Sequence, residues 1–106
     1  MRLERGAFRL GATAMTEIKY FVEAYGSKSE VLEVFESFSG WYWFVTETNP
    51  EPEDSRIKFG LVYGAETEWG YFSMEELDPL IKRGKIWRVN KPHWFGISHL
   101  EKEVIQ

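Results

Sequence analysis

The sequence predicts an α+β domain: an antiparallel meander of three strands with one or two further strands, and two helices packed on one face. Three observations predict it. Two Ser-x-x-Glu segments, at 27–30 and 73–76, each open a stretch with helically spaced apolar residues that closes at a glycine. Between them the apolar period changes to two. The chain of 106 residues is 43% hydrophobic and 17% aromatic, enough to fill one core without disulfides.

Residues 1–14, MRLERGAFRLGATA, are rich in Arg, poor in acids and aperiodic. They read as a flexible leader ahead of one domain at 15–106, with Met15 as an alternative start. A secretory signal needs an apolar run of about 7–15 residues after its basic start, and none is present. Residues 17–25, EIKYFVEAY, fit both periods; their Tyr, Phe, Val and Ile favour strand. Residues 27–39 are expected to form the first helix. Ser27 and Glu30 have capping-box spacing, Val31, Leu32, Val34, Phe35 and Phe38 share a stripe, and Gly40 follows as terminator.

From Gly40 the pattern alternates, with Trp41, Trp43 and Val45 on one face and Tyr42, Phe44 and Thr46 on the other. Trp43 is therefore expected between sheet and helix, touching Phe35 or Leu77, with Tyr42 on a face of less consequence. Residues 49–55, rich in Pro and acids, form a loop. Residues 56–63 make the second arm, 64–67 a turn, and 68–72 a third antiparallel strand. The second helix opens at Ser73, carries Pro79 uncomfortably inside it, and ends with Lys82, Arg83 and Gly84. Residues 85–89, KIWRV, read as a strand, 90–92 as a turn, and 93–106 as a short strand or helix.

Composition excludes several classes. With no Cys there is no disulfide framework, thiolate zinc site or iron–sulfur cluster. No apolar stretch approaches the roughly 20 residues that span a bilayer, so no membrane partner is expected and a cytoplasmic home is. Nucleotide-binding glycine loops, the nucleophile-elbow motif and the H-E-x-x-H motif are all missing. Glu66 and Glu68 lie at a turn where solvent leaves carboxylates ordinary. Enzyme activity is accordingly not expected, nor is a cofactor.

Three constellations carry binding chemistry. The block Lys82, Arg83, Lys85, Trp87, Arg88, Lys91 and Trp94 interleaves cations with aromatics, as nucleic-acid or partner binding requires. The competing account is a solvated helix end and an edge strand guarded by lysines. Trp41, Trp43, Tyr63, Trp69 and Tyr71 read as core, or as a stacking platform for bases. His93 and His99 with Glu101 have the composition of a three-ligand metal site, but two lone histidines are more often surface residues, and no metal is expected.

The runs Trp41-Tyr42-Trp43-Phe44-Val45-Thr46-Glu47, Phe59-Gly60-Leu61-Val62-Tyr63-Gly64-Ala65-Glu66 and Gly70-Tyr71-Phe72-Ser73-Met74-Glu75-Glu76-Leu77 resemble a known family. It is a domain of unknown function carried by plasmids, phages and conjugative elements, with the pattern W-x-W-Y-V-T-E, F-G-L-V-x-G and G-Y-F-S-x-x-E-L. The resemblance covers residues 41–77, with Trp69 where that pattern more often has Leu. It implies the hairpin, turn and helix and a mobile-element setting, and supplies no catalytic residues. The net charge of −4, with aromatic and Arg enrichment, suits a non-enzymatic protein-binding module. The alternative is a nucleic-acid-binding accessory protein using 82–94.

Overall fold

The computed structural model describes residues 17–48 and 55–105. The leader expected at 1–14, and all of the 49–55 loop except Ser55, lie outside the described residues. Strands β1 (Glu17–Ala24) and β2 (Ser27–Glu30) form a hairpin, and β3 (Glu33–Ser37) follows two residues later. Next come β4 (Tyr42–Thr48), β5 (Ile57–Tyr63), β6 (Thr67–Ser73), α1 (Met74–Lys82), β7 (Ile86–Arg88), a 3-10 helix (Lys91–Gly96) and β8 (Glu101–Ile105). The strands build two antiparallel sheets, a three-stranded one ordered β2-β1-β8 and a five-stranded one ordered β6-β5-β4-β3-β7.

The expected pair of helices on one face is therefore wrong: the fold is mainly β, with a single α-helix among the described residues. Residues 27–39 hold β2, β3 and the start of a turn. Tyr25 and Gly26 both have positive φ, +55° and +78°, and join Ala24 to its partner Ser27 as a two-residue hairpin turn. Ser27 and Glu30 are thus the two ends of the hairpin's second arm, paired with Ala24 and Phe21, and open no helix. The helical stripe has a different origin. The Val31 amide still bonds to Tyr20 of β1 at 2.8 Å, while the Leu32 amide already bonds to Val45 of β4 at 2.7 Å. The chain changes sheets between these two residues, and β3 then lies inside a sheet covered on both faces. Val34 and the adjacent Phe35 are consequently both buried, on opposite faces. A two-sided strand preceded by a corner imitates the i, i+3, i+4 spacing of a helix. Gly40 does carry a positive φ, but in the β3–β4 turn, where the buried Ser37 hydroxyl accepts from the Trp41 amide at 3.0 Å.

The meander β4-β5-β6 and α1 form where expected. Ser73 caps α1 by accepting from the Glu75 amide at 3.1 Å. The helix closes on Gly84 (φ +72°), whose amide bonds to the Ile81 carbonyl, while the Lys85 amide bonds to that of Leu80. This is a Schellman end, and the left-handed residue it needs is the glycine. Pro79 stays inside the nine-residue helix, at a cost of one backbone bond.

The layers are the three-stranded sheet, the five-stranded sheet and α1. Tyr20, Val22 and Val31 pack on Val34, Phe44 and Leu61, and Trp94 and Ile97 close one end of that core. On the other face Phe35, Val45 and Phe72 meet Leu77 of α1 and Ile86 of β7, with Trp43 at the margin. Trp43 does face the helix, as its alternation predicts. The Tyr42 face is the more deeply covered.

Tyr42 donates its hydroxyl to Glu36 at 2.9 Å, and Trp87 donates to the same carboxylate at 3.1 Å. Burial, reinforced by Glu36, raises the Tyr42 pKa above the ordinary tyrosine value of about 10. A group whose folded pKa is raised stabilises the fold below its unfolded pKa, and that contribution is lost as pH rises through the folded value. Stability should therefore decline from about pH 10 upward. Tyr42→Phe should flatten the decline, read as the urea midpoint at pH 8 against pH 11; an unchanged slope would place the alkaline sensitivity elsewhere.

Candidate functional site

The β3–β4 turn delivers Trp41 onto the helix face of the large sheet, one step before Trp43. The two indoles lie 5.9 Å apart at 34°. A Cβ on Gly64 would stand 2.5 Å from the Trp41 ring, so the indole rests directly on that glycine. Trp41 remains 39% exposed and separates two open grooves. The larger, about 430 Å³, runs along β6 between Trp41, Val62, Glu66, Glu68 and Gly70. The smaller, about 250 Å³, runs toward the end of α1 between Phe38, Trp41, Trp43, Leu80, Lys85 and Ile86. Phe38 and Trp41 are both exposed large apolar residues at its mouth. The Glu66 and Glu68 carboxylates form no ion pair among the described residues.

The basic and aromatic block does not come together as one surface. Trp94 is only 3% exposed; its indole donates to the Val89 carbonyl at 2.8 Å and meets Tyr20 edge-on. Trp87 is tied to Glu36. Arg88 pairs with Glu33 at 3.4 Å, and Lys58 holds the same carboxylate at 3.2 Å from the other side. Lys91 lies 5.9 Å from the Trp94 ring centroid. Lys82, Arg83 and Lys85 are exposed at the end of α1, and Lys85 alone of the block lines a groove beside Trp41, its ammonium 5.1 Å from the Phe38 ring centroid.

The aromatic platform divides between faces. Trp41 and Trp43 stand on the helix side, whereas Tyr63, Trp69 and Tyr71 stand on the other, where Trp69 donates to the Ala24 carbonyl at 3.0 Å. His99 packs against Tyr63 at 4.3 Å, while His93 is exposed on the 3-10 helix and Glu101 pairs with Lys28. Among the described residues no group of three or more His, Cys, Asp or Glu is placed to hold a metal ion. None of their helices is long and apolar enough to cross a membrane.

No family model, curated protein or solved structure matches the chain. The groove residues missed in the sequence are Phe38, Gly64, Gly70 and the Glu66–Glu68 pair. Phe38 was hidden by its place on an apparent helical stripe, and the carboxylates by a turn setting that gives no sign of an adjacent indole.

Proposed function

We propose that this chain is a small non-enzymatic protein-binding module, cytoplasmic in setting, whose binding face comprises the two grooves flanking Trp41. The observation that carries this reading is Trp41 itself: a large indole seated on Gly64, left partly open to solvent, with a concave groove on each side. Half-exposed aromatics beside concave surface are typical anchors of protein interfaces. A mobile-element origin rests on the family resemblance. Nucleic-acid binding is the second reading, and the exposed Lys82, Arg83 and Lys85 at the end of α1 favour it.

The test pairs two titrations. Peptides selected from a random display library against the whole protein should bind it and weaken at least tenfold on Trp41→Ala, with the variant still folded by circular dichroism at the titration temperature. Single- and double-stranded oligonucleotides should show no binding at tens of micromolar in 50 mM salt. Salt-sensitive oligonucleotide binding, together with peptides indifferent to Trp41, would replace this reading with the second.

A further inference from the structure

The larger groove runs along β6, an edge of the five-stranded sheet. Its outer backbone groups can be assigned. The Met74 amide bonds to the Arg56 carbonyl and the Gly64 amide to that of Glu66, so the intervening residues Thr67, Trp69, Tyr71 and Ser73 turn their backbone groups away from β5. The Tyr25 hydroxyl confirms the direction by donating to the Thr67 carbonyl at 2.6 Å. Among the described residues no strand pairs with this edge.

Exposed edges are ordinarily blunted by charged side chains (lysine above all), proline, a bulge, brevity or a covering loop. β6, TEWGYFS, has no lysine, proline or bulge, and runs seven residues in unbroken register with β5. Its one charge is Glu68 in the groove, and Tyr25 occupies the Thr67 carbonyl, with Tyr71 79% exposed further along the edge. Gly70 adds an independent observation. It sits mid-strand without a positive φ, and a Cβ there would meet nothing within 4 Å. Nothing in the described chain calls for a glycine at this position. A strand glycine of that kind suits the close approach of another chain.

We infer that β6 receives an extended basic segment of a partner protein as an added strand. This rests on the protein-binding reading and names its occupant. The incoming residue opposite Gly70 falls between the outward-bonding positions Trp69 and Tyr71, where paired side chains lie closest. Its side chain leans across the bare glycine toward the Trp41 indole, with Glu66 and Glu68 alongside. An indole beside two carboxylates without an ion pair among the described residues complements a lysine or arginine, through cation–π attraction and charge-assisted hydrogen bonds. Alternate residues of the segment fall on the opposite face, beside Phe59, Trp69 and Tyr71.

The experiment uses nonamer peptides from a random display library, resynthesised and titrated against the full chain, Gly70→Val and Trp41→Ala, with sedimentation of each protein alone. Enriched peptides should carry Lys or Arg, lose binding when alternate amides are N-methylated, and weaken several-fold between 50 and 200 mM salt. Gly70→Val should weaken them at least tenfold while melting no earlier than the parent. Peptides without basic residues that need Trp41 but tolerate Gly70→Val would overturn the strand-addition inference and leave the protein-binding reading standing. Failure to enrich any Trp41-dependent peptide would overturn both. A dimer abolished by Gly70→Val would make a second copy of this chain the occupant and overturn the basic-segment assignment.

Discussion

Truncating Phe44 to alanine should destabilise the protein by about 3–5 kcal/mol, close to the whole stability of many small domains. Phe44 is completely buried and heads the fully buried side chains by volume. Its ring stacks on Tyr42 at 5.3 Å and meets Tyr63 edge-on at 6.0 Å. It belongs to the core between the two sheets, which are held in turn by Val31 and Leu32 as the chain crosses from one to the other. A cavity there cannot collapse without shifting both sheets. Trp43→Ala removes a larger ring, but one at the margin of the smaller core under α1, and should cost less. Urea unfolding of the two variants decides the order. A larger loss for Trp43→Ala would move the main core beneath the helix.

Alternation alone favoured Trp43, and it assigned the two faces of β4 correctly. What it could not weigh was the covering of each face. A three-stranded sheet assembled from β1, β2 and the distant β8 covers the Tyr42 side, and pairing between residues about eighty positions apart leaves no local trace. The meander and α1 were legible because their signals are local: alternating aromatics, a Ser cap and a terminal glycine. The misread stretch at 27–39 shows the converse. Tyr25 in a left-handed conformation is an uncommon turn residue, so Tyr-Gly did not read as a hairpin. Without that hairpin signal, adjacent buried residues on a two-sided strand imitate a helical stripe.

The candidate site was less legible than the fold, because it depends on which side chains remain open. The basic block was visible as composition, yet Trp94 serves the core and Arg88 an ion pair with Glu33 on the neighbouring strand. Trp41 was visible as an aromatic but indistinguishable from its neighbours. Its exposure follows from Gly64, which leaves a flat seat for the indole at the rim of the sheet.

Gly60 and Gly70 face each other across β5 and β6, and they should respond oppositely to the same substitution. At Gly60 an added Cβ would lie 1.9 Å from the Phe44 carbonyl oxygen and 3.1 Å from the Thr46 amide nitrogen. Both neighbours are backbone, brought close where the β4–β5 register shifts between Val45 and Glu47. Neither can swing aside as a side chain would, so β4 must move away from β5 along the row that carries Phe44. Gly60→Ala should therefore cost about 3 kcal/mol, at the upper end of overpacking effects. Gly70→Ala meets open space in an ordinary strand conformation. It should be neutral, or stabilising by up to about 1 kcal/mol, because glycine loses more conformational freedom on folding than alanine. Chemical denaturation of both variants checks the contrast. Equal losses would mean that the pairing of β5 with β6 requires both glycines, and Gly70 would then lend no support to a guest strand. A Gly70→Ala variant as stable as the parent leaves its bare position without a folding purpose, beside the indole and carboxylates proposed to receive a basic side chain.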